Sequence, residues 1–121
     1  MVDFVQRAET FVKEKLSRID VRGARRIDLS TSQIRKFLSA VNRIENQIVA
    51  EGEQLSEDMV NEIKYLKIML AYQAGRERAV KPLYEELVIE IDKIGESKKK
   101  FVEFARYVEA IVAYHKYYGG N

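Results

Sequence analysis

Apolar residues recur three and four apart along nearly the whole chain, and the stripes they form predict five helices. The first stripe is Phe4, Val5, Ala8, Phe11, Val12, Leu16 and Ile19. Asp3, three residues before Gln6, is placed to cap its start, and the helix is expected to run to about Asp20. Val21–Leu29, with Gly23 and three arginines (Arg22, Arg25, Arg26), reads as a loop. The second stripe is Ile34, Phe37, Leu38, Val41, Ile44 and Ile48; Ser30 and Gln33 form a capping-box pattern before it, and Gly52 closes it. Ser56 is the expected cap of the third helix, with Leu55 and Val60 as a hydrophobic staple across it. From Tyr65 to Tyr72 that helix is apolar around most of its girth, which predicts a central position. Its end is expected between Gly75 and Lys81, because Pro82 disfavours helix at the residue before it and suits a first helical turn. Leu83, Leu87, Val88, Ile91 and Ile94 make the fourth stripe, stopped by Gly95. The fifth helix is expected from about Ser97 to Tyr118, with Phe101, Phe104, Ala105, Val108, Ile111, Val112 and His115 inward and Gly119-Gly120 as its terminator. Strict alternation appears nowhere over a useful length. The expected fold class is all-α, a compact bundle of about five helices, with residues 1–121 as a single helical domain.

Composition narrows the chemistry. A chain of 121 residues, 46% hydrophobic and 33% charged, has room for one independent core and a well-solvated surface. It has no cysteine, so disulfides, thiolate metal sites and cysteine nucleophiles are excluded. One histidine, His115, excludes every motif that needs two, and it lies on the apolar stripe of the last helix as a packing residue. No Gly-x-Ser-x-Gly turn, Glu-x-x-His pair or glycine-rich phosphate loop occurs. Glu86 and Glu90 share a helix face, but two carboxylates alone read as a solvated face. The chain is therefore not expected to be an enzyme, nor to carry a metal or cofactor. The longest apolar runs, Ile68–Tyr72 and Ala110–Tyr114, fall far short of the ~18 residues a membrane span needs. Asp3, Arg7 and Glu9 stand where a signal peptide would be apolar, so a cytoplasmic protein is the expectation.

Net charge is only +2, yet its distribution is uneven. Residues 1–50, 63–81 and 97–121 are net positive, while 51–62 and 82–96 are net negative. Such alternation suits a fold with one basic and one acidic face. Lys36 and Arg43, seven apart, share a face of helix two, with Gln33 and Arg35 beside them. Lys64, Lys67, Arg76, Arg78 and Lys81 form a second basic group along helix three and the turn before Pro82. Tyrosines are interleaved among these cations, at Tyr65 and Tyr72 and again from Tyr107 to Tyr118. Cations that hold phosphates beside rings and amides that contact exposed bases suit single-stranded RNA. The competing reading is half-buried packing tyrosines and solubilising charge.

Three strings go further. Thr31-Ser32-Gln33-Ile34-Arg35-Lys36-Phe37 and Leu70-Ala71-Tyr72-Gln73-Ala74-Gly75-Arg76 are the first two. The third runs from Phe101 through Phe104-Ala105 to Glu109-Ala110-Ile111-Val112-Ala113-Tyr114-His115-Lys116 and Tyr117-Tyr118. In order and separation they resemble the motifs of the small helical subunit of type III-A CRISPR effector (Csm) complexes. They cover about half the chain.

The resemblance implies a non-catalytic RNA-binding subunit. Several copies would stack in the minor filament of the complex and help hold the target RNA paired with its guide RNA. Cleavage of the target would fall to the neighbouring backbone subunit, and nucleotide signalling and DNA cutting to the large subunit. Residue by residue, Gln33, Arg35 and Lys36 match the first motif and Arg76 the second as RNA contacts, with Tyr72 and Gln73 beside them. Arg43, Lys67, Arg78 and Lys81 join them on the charge-face argument alone, while His115 and Tyr118 fall to helix packing. Partners are then guide RNA, target RNA and the other Csm subunits, and no membrane. The isolated chain is expected to self-associate, as a homodimer or in a concentration-dependent way, with exchange through Val21–Leu29 as one route. The alternative is a helical protein–protein adaptor without intrinsic RNA binding.

Overall fold

The computed structural model describes residues 3–120. Its elements in order are α1 (Phe4–Phe11), a wider helical turn over Val12–Leu16, β1 (Ser17–Ile19), β2 (Arg25–Ile27), α2 (Thr31–Ile48), α3 (Glu57–Arg76), α4 (Lys81–Ile94) and α5 (Lys98–Tyr117). The fold is mostly helical with five helices, as the stripes predict. Three helix starts follow the expected chemistry. Asp3 accepts from the Gln6 amide, Ser56 from the Met59 amide, and Ser30 with Gln33 closes a full capping box. A tight turn at Arg78–Val80 joins α3 to α4, whose first turn holds Pro82. Helix α2 ends at Ile48, four residues before Gly52, and a turn carries the chain onward.

The first helix is shorter than its apolar stripe suggests. The chain leaves it at Leu16, Ser17 turns extended, and β1 pairs antiparallel with β2 in the register Ser17–Ile27, Arg18–Arg26, Ile19–Arg25. What was expected to be helix end and loop is a hairpin. Asp20 is the reason: one carboxylate oxygen accepts from the amides of Arg22 and Ala24, both at 2.9 Å, an Asx-type turn that competes with helix. Gly23, at φ +81°, supplies the left-handed residue the turn needs. Ile19 and Val5, both expected to face inward, are exposed instead.

Helix α5 is the centre of the molecule. It packs against α1, α2 and α4, while α3 closes the far side against α2 and α4. His115, near the end of α5, donates from Nε2 to the Leu29 carbonyl at 2.6 Å, just ahead of α2. Lys98, at the start of α5, donates to the carbonyls of Val49 and Glu51 just beyond α2, so these two helices run antiparallel. Phe101, Phe104, Ala105, Tyr107, Val108, Ile111 and His115 are all buried on α5, and Phe104 meets Phe37 edge to face at 6.5 Å. Gly120 lies on the His115 ring so closely that a β-carbon there would overlap it.

The expected central position of the third helix is therefore wrong. Only Ile63, Leu66 and Leu70 are buried on α3, whereas Tyr65, Ile68 and Tyr72 are 61%, 60% and 65% exposed. The helix carries two apolar stripes, and the bundle covers one of them.

Candidate nucleic-acid interface

Helices α2 and α3 lie side by side, and between them runs a groove of about 500 Å3 lined by Lys36, Tyr65, Ile68, Met69, Tyr72, Gln73 and Arg76. Four of these, Lys36, Tyr72, Gln73 and Arg76, are residues that the first two sequence motifs supply from positions 36 apart or more. The Arg76 guanidinium stands over the Tyr72 ring, 5.6 Å from its centre, which holds the last turn of α3 and its ring in one arrangement. The groove is lined by two cations and by no carboxylate. Four other concavities all contain carboxylates: Glu90 and Glu103 in one, Asp3, Glu14 and Glu86 in a second, Asp92 in a third, and Glu14, Glu85 and Glu86 in a fourth.

The remaining candidates fall into three groups. Arg35 and Arg43 are exposed on α2, Arg43 two turns beyond Lys36 on the same face. Arg78 and Lys81 are exposed at the turn into α4, next along the chain from Arg76. Among the described residues, the side chains of Arg35, Lys36, Arg43, Arg76, Arg78 and Lys81 form no ion pair. Lys67 differs: it points toward α4, where its ammonium meets the Asp92 carboxylate at 2.5 Å, and it lines the concavity there rather than the α2–α3 groove. Gln33 is also partly committed, because its side-chain oxygen accepts from the Ser30 amide within the capping box.

Away from the groove, charge is used internally. Arg7 sits over the Tyr107 ring at 4.6 Å and pairs with Glu90 at 3.3 Å and Glu86 at 3.8 Å. Tyr107 in turn donates to Glu86 at 2.6 Å. Burial and this hydrogen bond push the Tyr107 hydroxyl well above the ordinary phenol range. Glu86 and Glu90, expected on a solvated face, are thus half-buried struts between α1, α4 and α5. Arg106 on α5 is held in the same manner by Glu109 at 2.6 Å and by Glu45 of α2. Tyr118 donates to Glu9 at 2.5 Å, a bond that raises its hydroxyl to about 12. On the hairpin, Arg18 pairs with Asp28 and Arg26 with Asp20, which leaves both carboxylates below their ordinary range.

The sequence candidates include Lys36, Tyr72, Gln73 and Arg76 of this lining; Tyr65 is noted in the sequence only among the interleaved tyrosines, and Ile68 and Met69 are not candidates. The signal was present: Tyr65, Ile68 and Tyr72 recur at intervals of three and four, a stripe offset from Ile63, Leu66 and Leu70. Among the described residues no cluster of His, Asp or Glu could hold a metal ion, and no helix is long and apolar enough to cross a membrane.

Residues 3–121 match the family model of the type III-A Csm2 proteins. A protein of Streptococcus thermophilus described as "CRISPR system Cms protein Csm2" is 41% identical over 94 residues, covering 77% of this chain and 75% of that protein. A protein of the same description from Enterococcus italicus is 34% identical over 120 residues, covering 92% and 86%. One from Mycobacterium tuberculosis is 34% identical over 97 residues, covering 74% and 75%.

Proposed function

The chain belongs to the Csm2 family, the small subunits of type III-A CRISPR (Csm) complexes, and we propose that it acts there as a non-catalytic RNA-binding element. In this reading it stacks with further copies in the minor filament, in the cytoplasm, and steadies the target RNA on its guide RNA. The α2–α3 groove, with Arg35, Arg43, Arg78 and Lys81 around it, is the RNA surface. The observation that carries this reading is the groove's one-signed lining. Lys36 and Arg76 flank aromatic and apolar surface with no carboxylate between them, so a polyanion meets attraction along the whole groove. Exposed apolar side chains elsewhere, Ile19 and Val21 on the hairpin and Val49 after α2, are the ones we assign to contacts with neighbouring copies. They also favour self-association of the isolated chain, as a homodimer, which light scattering over a concentration series reads.

Because phosphate contacts dominate, binding is weakly sequence-dependent and falls steeply with salt. A protomer making about three to five contacts to a single strand gives a log–log slope of roughly −2 to −3.5. The test is the double substitution Arg35→Ala with Lys36→Ala in the assembled complex. RNA retention weakens and the slope becomes shallower by about 1.4, with helicity intact. Glu62→Gln with Glu85→Gln is the control, two exposed carboxylates outside any ion pair among the described residues, and it leaves retention unchanged. Equal loss from both pairs, or from neither, refutes this placement of the RNA surface.

A further inference from the structure

The groove is more than a basic track. Its floor is apolar and aromatic, and a paired base, with both faces stacked in a duplex, has nothing to offer such a floor. A base freed from its stack does. Resting on the RNA-binding reading above, we propose that this groove seats an unpaired nucleobase of the bound RNA. Tyr72, held under Arg76, is its stacking partner, Tyr65 with Ile68 forms the apolar floor, and Lys36 and Arg76 hold the flanking phosphates.

Three observations converge on that occupant. Tyr65, Ile68 and Tyr72 are each about three-fifths exposed, so their apolar faces are open rather than covered by the bundle. Tyr65 and Tyr72 stand seven residues apart on one face, about 10 Å along the helix, and the groove's volume of about 500 Å3 suits a planar ring with its sugar. Among the described residues the cations at the groove form no ion pair, and no carboxylate lines it, which favours a nucleotide over a peptide rich in lysine or arginine. Stacking between a ring and a guanidinium-backed tyrosine is tolerant of base identity, so the seat selects for the unpaired state rather than for sequence.

The experiment uses the full-length chain and a single-stranded RNA carrying one central 2-aminopurine, alone or annealed to its complement. Stacking in the groove is expected to quench the fluorophore in the single strand and to leave the annealed form unaltered. Tyr72→Ala and Tyr65→Ala each weaken single-strand affinity roughly tenfold without changing the salt slope, while Tyr72→Phe retains affinity. Lys36→Ala instead makes the slope shallower. If the tyrosine variants bind as the parent chain does while Lys36→Ala weakens binding, the nucleobase seat is refuted and the basic RNA surface stands. If no variant changes binding, or the parent chain neither binds nor quenches at low salt, both fall. If the tyrosine variants abolish self-association while RNA binding is untouched, the ridge is a protein contact and the proposal is overturned.

Discussion

Helices α3 and α5 are both 20 residues long, and both are rich in apolar and aromatic side chains, yet the molecule uses them in opposite ways. Helix α5 has neighbours on three sides and buries seven residues, His115 among them. Its one deeply placed tyrosine, Tyr107, has its hydroxyl satisfied by Glu86 and its ring covered by Arg7. Helix α3 buries three residues and turns Tyr65, Ile68 and Tyr72 to solvent beside Lys36 and Arg76, which form no ion pair among the described residues. Apolarity therefore does not distinguish the two helices. What distinguishes them is whether the polar and charged groups beside the apolar ones find partners inside the fold.

The largest effect that can break this comparison is on stability. Phe104→Ala on α5 removes a buried ring from its contacts with Phe37 and Phe101 and is expected to cost about 3–5 kcal/mol. Tyr72→Ala on α3 removes a ring of the same class from an exposed position and should stay within about 0.5 kcal/mol of the parent chain. Urea unfolding of the two variants, followed by the helical circular dichroism signal, measures both. A Tyr72→Ala cost near that of Phe104→Ala would mean the α3 ridge is packed in the free protein, and the contrast would vanish.

That contrast also explains what was legible in the sequence. Helix number, order and most starts follow from local chemistry: Ser30 with Gln33, Ser56, and Pro82 act within one turn, so the pattern that shows them also makes them. Which helix is central does not follow locally. Helix α3, with two apolar stripes, is read as buried all round, because periodicity records apolar faces and not the neighbours that cover them. The same gap hid the roles of Glu86 and Glu90, whose partners Arg7 and Tyr107 come from α1 and α5, and of Lys67, whose partner Asp92 comes from α4. The hairpin was missed because one turn-forming side chain, Asp20, overrides an apolar stripe that continues through Ile19. At the groove, Lys36, Tyr72 and Arg76 were legible through the motifs, whereas Tyr65 and Ile68 were absorbed into the mistaken core.

A smaller effect separates the two helices at their starts. Ser30 caps α2 at the helix end that carries Lys36, and Ser56 caps α3 at the helix end away from Arg76. Ser→Ala at either position is expected to cost on the order of 1 kcal/mol, with Ser30 the more costly because its hydroxyl, besides accepting from the Gln33 amide, also donates to the Gln33 side-chain oxygen. Thermal unfolding reads both. Loss of the Ser30 cap should additionally weaken RNA retention, since it frays the turn that carries Arg35 and Lys36, while loss of the Ser56 cap should not. Equal effects on RNA would argue that both act through global stability alone.

The smallest expected effect concerns the hairpin, which sharpens the comparison because two of its arginines, Arg18 and Arg26, are exposed like the groove cations but are paired internally. Asp20 is held below its ordinary value of 3.8 by the hydrogen bond from Arg26, with the Ala24 and Arg22 amides adding to it, and Asp28 is lowered by Arg18. A carboxylate with a depressed folded-state value stabilises the fold fully above the unfolded value. That contribution is lost as pH falls through the folded value, so the hairpin should be intact at pH 5 and loosen only well below pH 4. Both pairs are exposed, so the loss is local and modest. The amide resonances of Arg22 and Ala24, which donate to Asp20, should titrate below 3.8, and Asp20→Asn should abolish that titration while the helical signal stays constant. If those amides instead titrate at the ordinary carboxylate value, Arg26 is not held by Asp20 in solution. Arg26 would then be as free as Lys36 and Arg76, and absence of an internal partner would no longer set the groove cations apart from it.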